Sequence, residues 1–349
     1  MARPPLLLHA GTHKTGTTAI QWVLDKDRER LQEAGIHYPS LYPEFAAQPD
    51  KAAPAHHQVS HGVARSTLRG RIPMMKFRRR IQQAARSSTL TLLSAEPVYR
   101  HVARQGRMPA DPQWLIEHAK YLARLKSYLK RFDVTILLYL REPFACAESF
   151  FKESVTLYTG QPHQPFDDFV ASRLPHFDYA RRIEIFEQVF GKVETRQYEA
   201  ACREGLIEAF YKDLGLPAPQ VEREQVRPSV SAQGALWLQA RSAEGDRSDH
   251  AARVLYAVRD PDGLFGGGAK ASLWSDETAR HAFSRSLDKT LALPILEGLS
   301  PPVAPPAFWS EDETRTANEA FADWRSENTE LLARRASLDL KHYQPDPRS

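Results

Sequence analysis

The stretch Gly11-Thr12-His13-Lys14-Thr15-Gly16-Thr17-Thr18 decides the fold class of this chain. Its two glycines have the spacing of the phosphate-binding loop Gly-x4-Gly-Lys-Ser/Thr, and Thr18 stands at the terminal hydroxyl position. Thr17 stands where nucleotide triphosphatases carry the lysine that reaches the β- and γ-phosphates, and Lys14 comes three residues earlier. We therefore expect the loop to hold an anionic group that lacks a metal-bound γ-phosphate. An ordinary turn rich in Gly and Thr is the alternative.

The residues on both sides of the loop support this interpretation. Arg3–His9 reads as a short buried strand, and Ile20, Val23, Leu24 and Leu31 then recur at helical spacing. Gly35 is a suitable C-terminal stop for that helix. Strand, glycine-bearing loop and helix therefore follow one another, which is the context that the motif requires.

Further strands and helices alternate along the chain. The predicted strands are Thr89–Ser94, Val134–Leu140 and Val193–Tyr198, and amphipathic helices cover Leu115–Leu129, the segment after Pro143, and Tyr179–Phe190. Strands that alternate with helices favour a parallel sheet covered on both faces. The sequence therefore predicts an α/β fold.

Arg141 and Ser149 form a second candidate site for an anion. Arg141 follows a predicted buried strand, at the sheet edge where open parallel sheets bind ligands, and Ser149 lies two turns into the next helix. A guanidinium fork and a short hydroxyl suit a phosphate. Taken singly, such an arginine more often pairs with a carboxylate, and a helical serine more often bonds its own backbone.

These motifs resemble those of the sulfotransferases that use 3′-phosphoadenosine 5′-phosphosulfate (PAPS). The family's 5′-phosphosulfate loop is matched by Lys14-Thr15-Gly16-Thr17-Thr18, and its Arg and Ser of the 3′-phosphate motif are matched by Arg141 and Ser149. Tyr198-Glu199 is a weaker match to a Tyr-Glu pair whose tyrosine approaches the adenine. The string from His9 to Thr18 looks most like the bacterial carbohydrate-type branch. The resemblance is specific over residues 5–35 and 134–150, suggestive to about 240, and absent beyond.

The resemblance implies a three-layer, P-loop-like fold with a central parallel sheet, helical insertions and C-terminal helices. It also implies transfer of a sulfuryl group from PAPS to a hydroxyl, in a carbohydrate for that branch. Lys14 would neutralise the charge that develops on the leaving phosphate, and a metal ion is dispensable because a sulfuryl group carries less charge than a γ-phosphoryl group. The donor site would comprise Lys14, Thr15, Gly16, Thr17, Thr18, Arg141, Ser149 and Tyr198.

The acceptor hydroxyl needs a general base, for which relatives use either a His or a Glu. Glu96 follows the second predicted strand, beside apolar residues that would raise the pKa of its carboxyl toward neutrality. His57 is the other candidate, because His56, His57 and His61 lie on a predicted loop, 37–61, that would cover the acceptor. Glu96 could instead bind an acceptor hydroxyl or pair with an Arg. The three histidines, without a Cys or Asp partner, make a poor metal site.

Composition limits the remaining possibilities. The chain has 349 residues with 47 basic and 43 acidic side chains, and its net charge of +4 is too small to indicate nucleic-acid wrapping. No Asp or Glu occurs from Lys51 to Ala95, so that window is either a solvated surface or a wall for an anionic ligand. We expect one domain over 1–349, with a basic substrate-side insertion at 37–88 and a mostly helical part at 217–349.

Membrane and disulfide classes are disfavoured. Apolar runs such as Val134–Leu140 fall short of the roughly 20 residues of a membrane span, and the first residues lack the apolar centre of a signal peptide. Cys146 and Cys202 are too few for a disulfide framework. The sequence therefore predicts a cytoplasmic enzyme, with a kinase using a divergent loop or a non-catalytic nucleotide-binding scaffold as alternatives.

Overall fold

The computed structural model describes residues 2–12, 14–40, 55–65, 68–101, 113–219, 229–266, 271–274, 276–301 and 310–333. The chain packs into two compact units. The first unit comprises Met1–Cys146, Arg173–Val226 and Ser286–Ser300. The second comprises Ala147–Ser172, Arg227–Arg285 and Pro301–Ser349.

A parallel sheet of five strands forms the centre of the first unit. Its strands are β1 (Pro5–His9), β2 (Ile36–His37), β3 (Leu90–Ser94), β4 (Asp133–Leu140) and β5 (Val193–Gln197), and they lie in the order β2-β3-β1-β4-β5. Leu8 of β1 lies opposite Leu93 on one side and Ile136 on the other. The carboxyl ends of β3, β1 and β4 therefore meet at one edge of the sheet.

The helices of the first unit are distributed along its whole length. They are α1 (Thr17–Lys26), α2 (Arg28–Glu33), α3 (His57–Arg65), α4 (Leu68–Ala84), α5 (Trp114–Tyr128), the start of α6 (Pro143–Val155), α8 (Leu174–Phe177), α9 (Tyr179–Phe190), α10 (Tyr198–Glu204), α11 (Leu206–Asp213) and α15 (Asp288–Leu291). Short 3-10 turns cover Glu96–Tyr99 and Pro294–Leu296.

Helices cover both faces of the sheet, because successive residues of a strand point to opposite sides. On β4, Ile136 and Leu138 belong to a core shared with α3, α4, α5 and α9. Leu137 and Tyr139 belong to a second core, shared with α1 and α11. The fold is therefore a three-layer α/β arrangement with a central parallel sheet, as the sequence predicted.

The second unit is helical over most of its described residues. Its helices are the remainder of α6, then α7 (Phe166–Ala171), α12 (Ala232–Ala240), α13 (Arg247–Arg259), α14 (Glu277–Ser286) and α16 (Glu311–Glu327). Aromatic side chains form its core, with Trp237 packed on Tyr256, Phe265 and Phe321. On the last helix Phe321 and Trp324 are buried, whereas Leu331 and Leu332 beyond it are half-buried.

The structure differs from the sequence-based prediction at a broken helix, at the end of β5 and at a short strand. The helix after the loop is broken at Asp27, whose carboxylate accepts hydrogen bonds from Tyr211 (2.8 Å) and Arg30 (3.0 Å). The strand predicted to end at Tyr198 ends at Gln197, and Tyr198 begins α10. The two-residue strand β2 follows Gly35, and the sequence analysis missed it because it is so short.

The prediction of an irregular loop over 37–61 is wrong at its end. His57 and His61 lie on α3, which buries Val59 and Val63, one helical turn apart. Residues 41–54, including Lys51, lie outside the described residues. Among the helices that are described, none is both long and apolar enough to cross a membrane.

Gly16 shapes the turn between β1 and α1. It is the N-cap residue of α1 with φ +67°, in the left-handed region that favours glycine. A Cβ at this position would overlap the side chain of Leu206 on α11. Both the backbone conformation and the packing therefore select glycine at the second fixed position of the loop motif.

Gly16→Ala is expected to lower the free energy of unfolding by about 2 kcal/mol, from the left-handed backbone and the overlap with Leu206 together. Gly191 is a matched control, because its φ is +84° and its Cβ would meet nothing within 4 Å. Gly191→Ala should cost only about 1 kcal/mol, for backbone strain alone. Denaturant unfolding measures both values, and equal losses would contradict the role of Leu206.

Candidate active site

The loop between β1 and α1 is braced against the neighbouring strand. Ala10 N donates to Leu137 O at 3.0 Å, and the Thr12 hydroxyl donates to Tyr139 O at 2.7 Å. The buried Thr15 hydroxyl donates in turn to Thr12 O at 2.6 Å. Both threonine hydroxyls are thus used inside the protein, so their contribution is to fix the course of the loop.

The first turn of α1 leaves its positive end open to a ligand. Its N-cap Gly16 offers no side chain, its first turn holds no acidic residue, and no capping hydrogen bond from a side chain is found there in the described part of the chain. Thr17 is buried, while Thr18 is exposed. Unsatisfied N–H groups and the helix dipole make such an end suited to an anion.

Lys14 has a strained backbone. Its φ of +65° places a non-glycine residue in the left-handed region, as only Asp260 does elsewhere among the described residues. Its carbonyl oxygen accepts a hydrogen bond from Arg141 Nη1 at 3.1 Å. Strain of this kind persists only where the surroundings hold it, and Arg141 supplies one such contact.

Arg141 and Tyr198 come together at the ends of adjacent strands. The guanidinium carbon of Arg141 lies 5.5 Å from the centre of the Tyr198 ring, within the range of a cation–π contact. Burial raises the pKa of Tyr198 to about 12, so its hydroxyl stays protonated. Arg141 forms no ion pair with any carboxylate among the described residues, and its remaining N–H donors suit an anionic ligand.

Glu142 follows Arg141 directly, and Glu199 follows Tyr198. The sequence alone predicted no hydrogen bond for either glutamate. Glu199 Oε1 accepts a hydrogen bond from Glu142 N at 2.9 Å. The Glu142 carboxylate caps α6, accepting from Phe144 N at 3.1 Å and Ala145 N at 2.7 Å. Burial raises the pKa of Glu142 to about 7, helped by the charge of Glu199 and opposed by the two hydrogen bonds and by Arg141. Pro143 after Glu142 is the signal that marks this cap in the sequence.

Glu96 lies beside the base of the loop. It begins the 3-10 turn after β3, and the preceding Ala95 N donates to His9 O at 2.9 Å. Burial lowers the pKa of His9 to about 4, and the nearby charge of Glu96 opposes that shift. The structure thus places Glu96 at the same sheet edge as the loop.

His9 belongs to a buried chain of hydrogen bonds that sequence reasoning missed. His9 Nδ1 lies 3.0 Å from Ser94 Oγ, which also accepts from Gln21 Nε2 at 3.0 Å. This chain joins β1, β3 and α1 beneath the loop. In the sequence, the signal for this chain of hydrogen bonds is His9, a polar residue at the end of a buried strand.

The three histidines differ in their surroundings. His56 is buried and bonds Ser94 N at 3.0 Å and Pro39 O at 2.8 Å, so both of its ring nitrogens are used in packing. His57, half-buried, begins α3, and His61 Nδ1 lies 2.9 Å from His101 Nε2. Within the described ranges, no group of three or more His, Cys, Asp or Glu side chains is placed to hold a metal ion.

Two further predicted features occupy defined positions. Ser149 lies half-buried on the part of α6 that belongs to the second unit. In the acid-free window, Arg78 lies over the Tyr128 ring at 5.6 Å and Arg80 over the Phe77 ring at 5.8 Å. These two arginines therefore cover aromatic surface, while Lys76, Arg79 and Arg86 are exposed.

No protein-family model matches the chain, and no curated protein matches it. The structure is similar to a sulfotransferase domain from the curacin biosynthetic pathway, with 10% identity, a TM-score of 0.34, and coverage of 82% of this chain and 99% of that one. It is also similar to retinol dehydratase in complex with androsterone and the inactive cofactor PAP, with 13% identity, a TM-score of 0.32, and coverage of 84% and 82%.

A third similar structure comes from the PezAT toxin-antitoxin system of Streptococcus pneumoniae, with 14% identity, a TM-score of 0.23, and coverage of 69% and 86%.

Glu142 makes the stability of the protein depend on pH in a defined direction. Because the pKa of this carboxyl rises from 4.5 to about 7 on folding, the folded state binds more protons between these values. The contribution of Glu142 to stability therefore falls as the pH rises through this window. Replacing it with Gln should remove the fall, changing the stability difference between variant and wild type by about 3 kcal/mol.

Denaturant unfolding at about pH 4.5 and about pH 8 measures this difference. The exposed Glu204 on α10 is the control, and Glu204→Gln should retain the pH dependence that Glu142 confers. A Glu142→Gln difference that does not change with pH would contradict the raised pKa.

Proposed function

We propose that this chain is a sulfotransferase that moves a sulfuryl group from PAPS to a hydroxyl, with a sugar or glycan as acceptor. The observation that carries the proposal is Arg141. Its guanidinium is bound to the Lys14 carbonyl and lies over Tyr198, and its further donors have no carboxylate partner among the described residues. A cation held in place next to an anion-binding loop is what a nucleotide with two separate phosphate groups requires.

The loop fits the 5′-phosphosulfate end of this donor. The uncapped start of α1 and the left-handed turns at Lys14 and Gly16 present main-chain N–H groups to an anion. Thr17, in place of the triphosphatase lysine, disfavours ATP. Lys14 would stabilise the negative charge that develops on the leaving phosphate, since such charge is best met by a cation already in position.

Arg141 would hold the 3′-phosphate. For Ser149, the role of a further hydroxyl donor is what the sequence motif implies. The Tyr198 ring, with Arg141 on its face, offers an apolar surface for the adenine. Glu96 is the proposed general base, because the 3-10 turn that carries it starts at the same sheet edge as the loop. His57 is the second candidate for that role.

Arg141→Ala should weaken binding of adenosine 3′,5′-bisphosphate by about a hundredfold, as expected for loss of a charge-assisted pair. Binding of adenosine 5′-monophosphate, which lacks the 3′-phosphate, should fall by a smaller factor, about tenfold at most, because it loses only the support that Arg141 gives to Lys14 and Tyr198. Isothermal titration measures both affinities, with the exposed Arg203→Ala as control. Equal losses for the two nucleotides would contradict the assignment of Arg141 to the 3′-phosphate.

Glu96→Gln should lower turnover by about a thousandfold or more while it preserves binding of adenosine 3′,5′-bisphosphate, because Gln cannot accept a proton. The measurement is the mass gain of one sulfuryl group on a panel of mono- and oligosaccharides incubated with PAPS. Lys14→Ala should likewise lose turnover more than nucleotide affinity. Near-normal turnover of Glu96→Gln with loss in His57→Ala would transfer the role of base to His57.

A further inference from the structure

The two residues proposed to hold the nucleotide are each followed by a glutamate, and the glutamates are joined. Glu142 follows Arg141 at the end of β4, and Glu199 follows Tyr198 at the end of the adjacent β5. Glu199 Oε1 accepts the hydrogen bond of Glu142 N at 2.9 Å. That N–H belongs to the peptide unit which Arg141 shares with Glu142. This hydrogen bond therefore ties the main chain of Arg141 to Glu199, the residue that follows Tyr198.

We infer that Glu199 is a positioning residue, whose carboxylate holds the Arg141 main chain so that the guanidinium spans the Tyr198 ring and the Lys14 carbonyl. The inference rests on the proposed function for its ligand. The N-terminus of α6 needs no help from Glu199, because the Glu142 carboxylate already accepts from Phe144 N and Ala145 N. Glu199 accepts instead from Glu142 N, the N–H of the capping residue itself.

The second oxygen of Glu199 makes no competing hydrogen bond. Oε2 is buried and has no hydrogen-bond partner within the described part of the chain. A buried carboxylate oxygen without a partner costs free energy, so a group retained only for packing would be better apolar. Glu142 and Glu199 place two acidic groups next to Arg141, with Cys146 and Tyr198 as the other titratable groups that interact with them. The hydrogen bond to Glu142 N is therefore the contact that accounts for a polar side chain at position 199.

Glu199→Ala should weaken binding of adenosine 3′,5′-bisphosphate by about tenfold, the equivalent of one hydrogen bond to a charged group, because Arg141 loses its fixed orientation. Binding of adenosine 5′-monophosphate should change by less than about threefold. Glu199→Gln keeps an oxygen that can accept from Glu142 N, and it should retain the 3′-phosphate selectivity of the wild type. Glu204→Ala, on the exposed side of α10, is the matched control.

Isothermal titration gives the affinities, and hydrogen exchange of the segment 140–146 gives a readout that needs no ligand. Exchange of the Glu142 amide should rise more than about tenfold in Glu199→Ala and stay near the wild-type rate in Glu199→Gln. Selectivity unchanged in Glu199→Ala, equal losses for both nucleotides, or loss of selectivity in Glu199→Gln would each overturn the inference. Failure of the wild type to bind the bisphosphate would overturn the proposed function, while the exchange result still decides whether Glu199 holds Glu142 N.

Discussion

The hydrogen bond from Arg141 to the Lys14 carbonyl is the contact on which the site depends. It joins the residue after β4 to the loop after β1, two neighbouring strands of the parallel sheet. Parallel strands bring their carboxyl ends to one edge, and a right-handed α/β crossover puts a helix N-terminus there as well. The loop, the start of α1 and the guanidinium therefore share one edge because of the sheet order alone.

Two features of this sheet edge cost free energy, and packing in the rest of the first unit offsets that cost. Lys14 keeps a left-handed backbone, and Glu142 keeps a buried carboxyl whose pKa is raised to about 7. Both would relax in a looser structure, the first by turning its peptide and the second by reaching water. The sheet with a core on each face makes that relaxation expensive. The Thr12 hydroxyl also binds the loop to β4, and the Thr15 hydroxyl bonds Thr12 O within the loop.

The sequence predicted β1, β3 and β4 well because these strands are short apolar runs that end at polar residues. Three motifs gave the candidates: the loop gave Lys14 and Gly16, the Arg-Ser motif gave Arg141, and the Tyr-Glu pair gave Tyr198. The sequence did not predict α3, since the burial of Val59 and Val63 depends on packing against a distant core. Nor could periodicity reveal the bond between Glu142 and Glu199, which depends on the register of β4 and β5 rather than on local pattern.

In the proposed site the loop and Arg141 together accept a nucleotide with a 3′-phosphate and without a metal-bound triphosphate. Isothermal titration of the wild-type protein with adenosine 3′,5′-bisphosphate in the presence of a chelator, set beside ATP with and without magnesium, tests this. We expect binding of the bisphosphate in the chelator, and weaker binding of ATP whether or not magnesium is present. Tight binding of ATP that requires magnesium, with no binding of the bisphosphate, would contradict it.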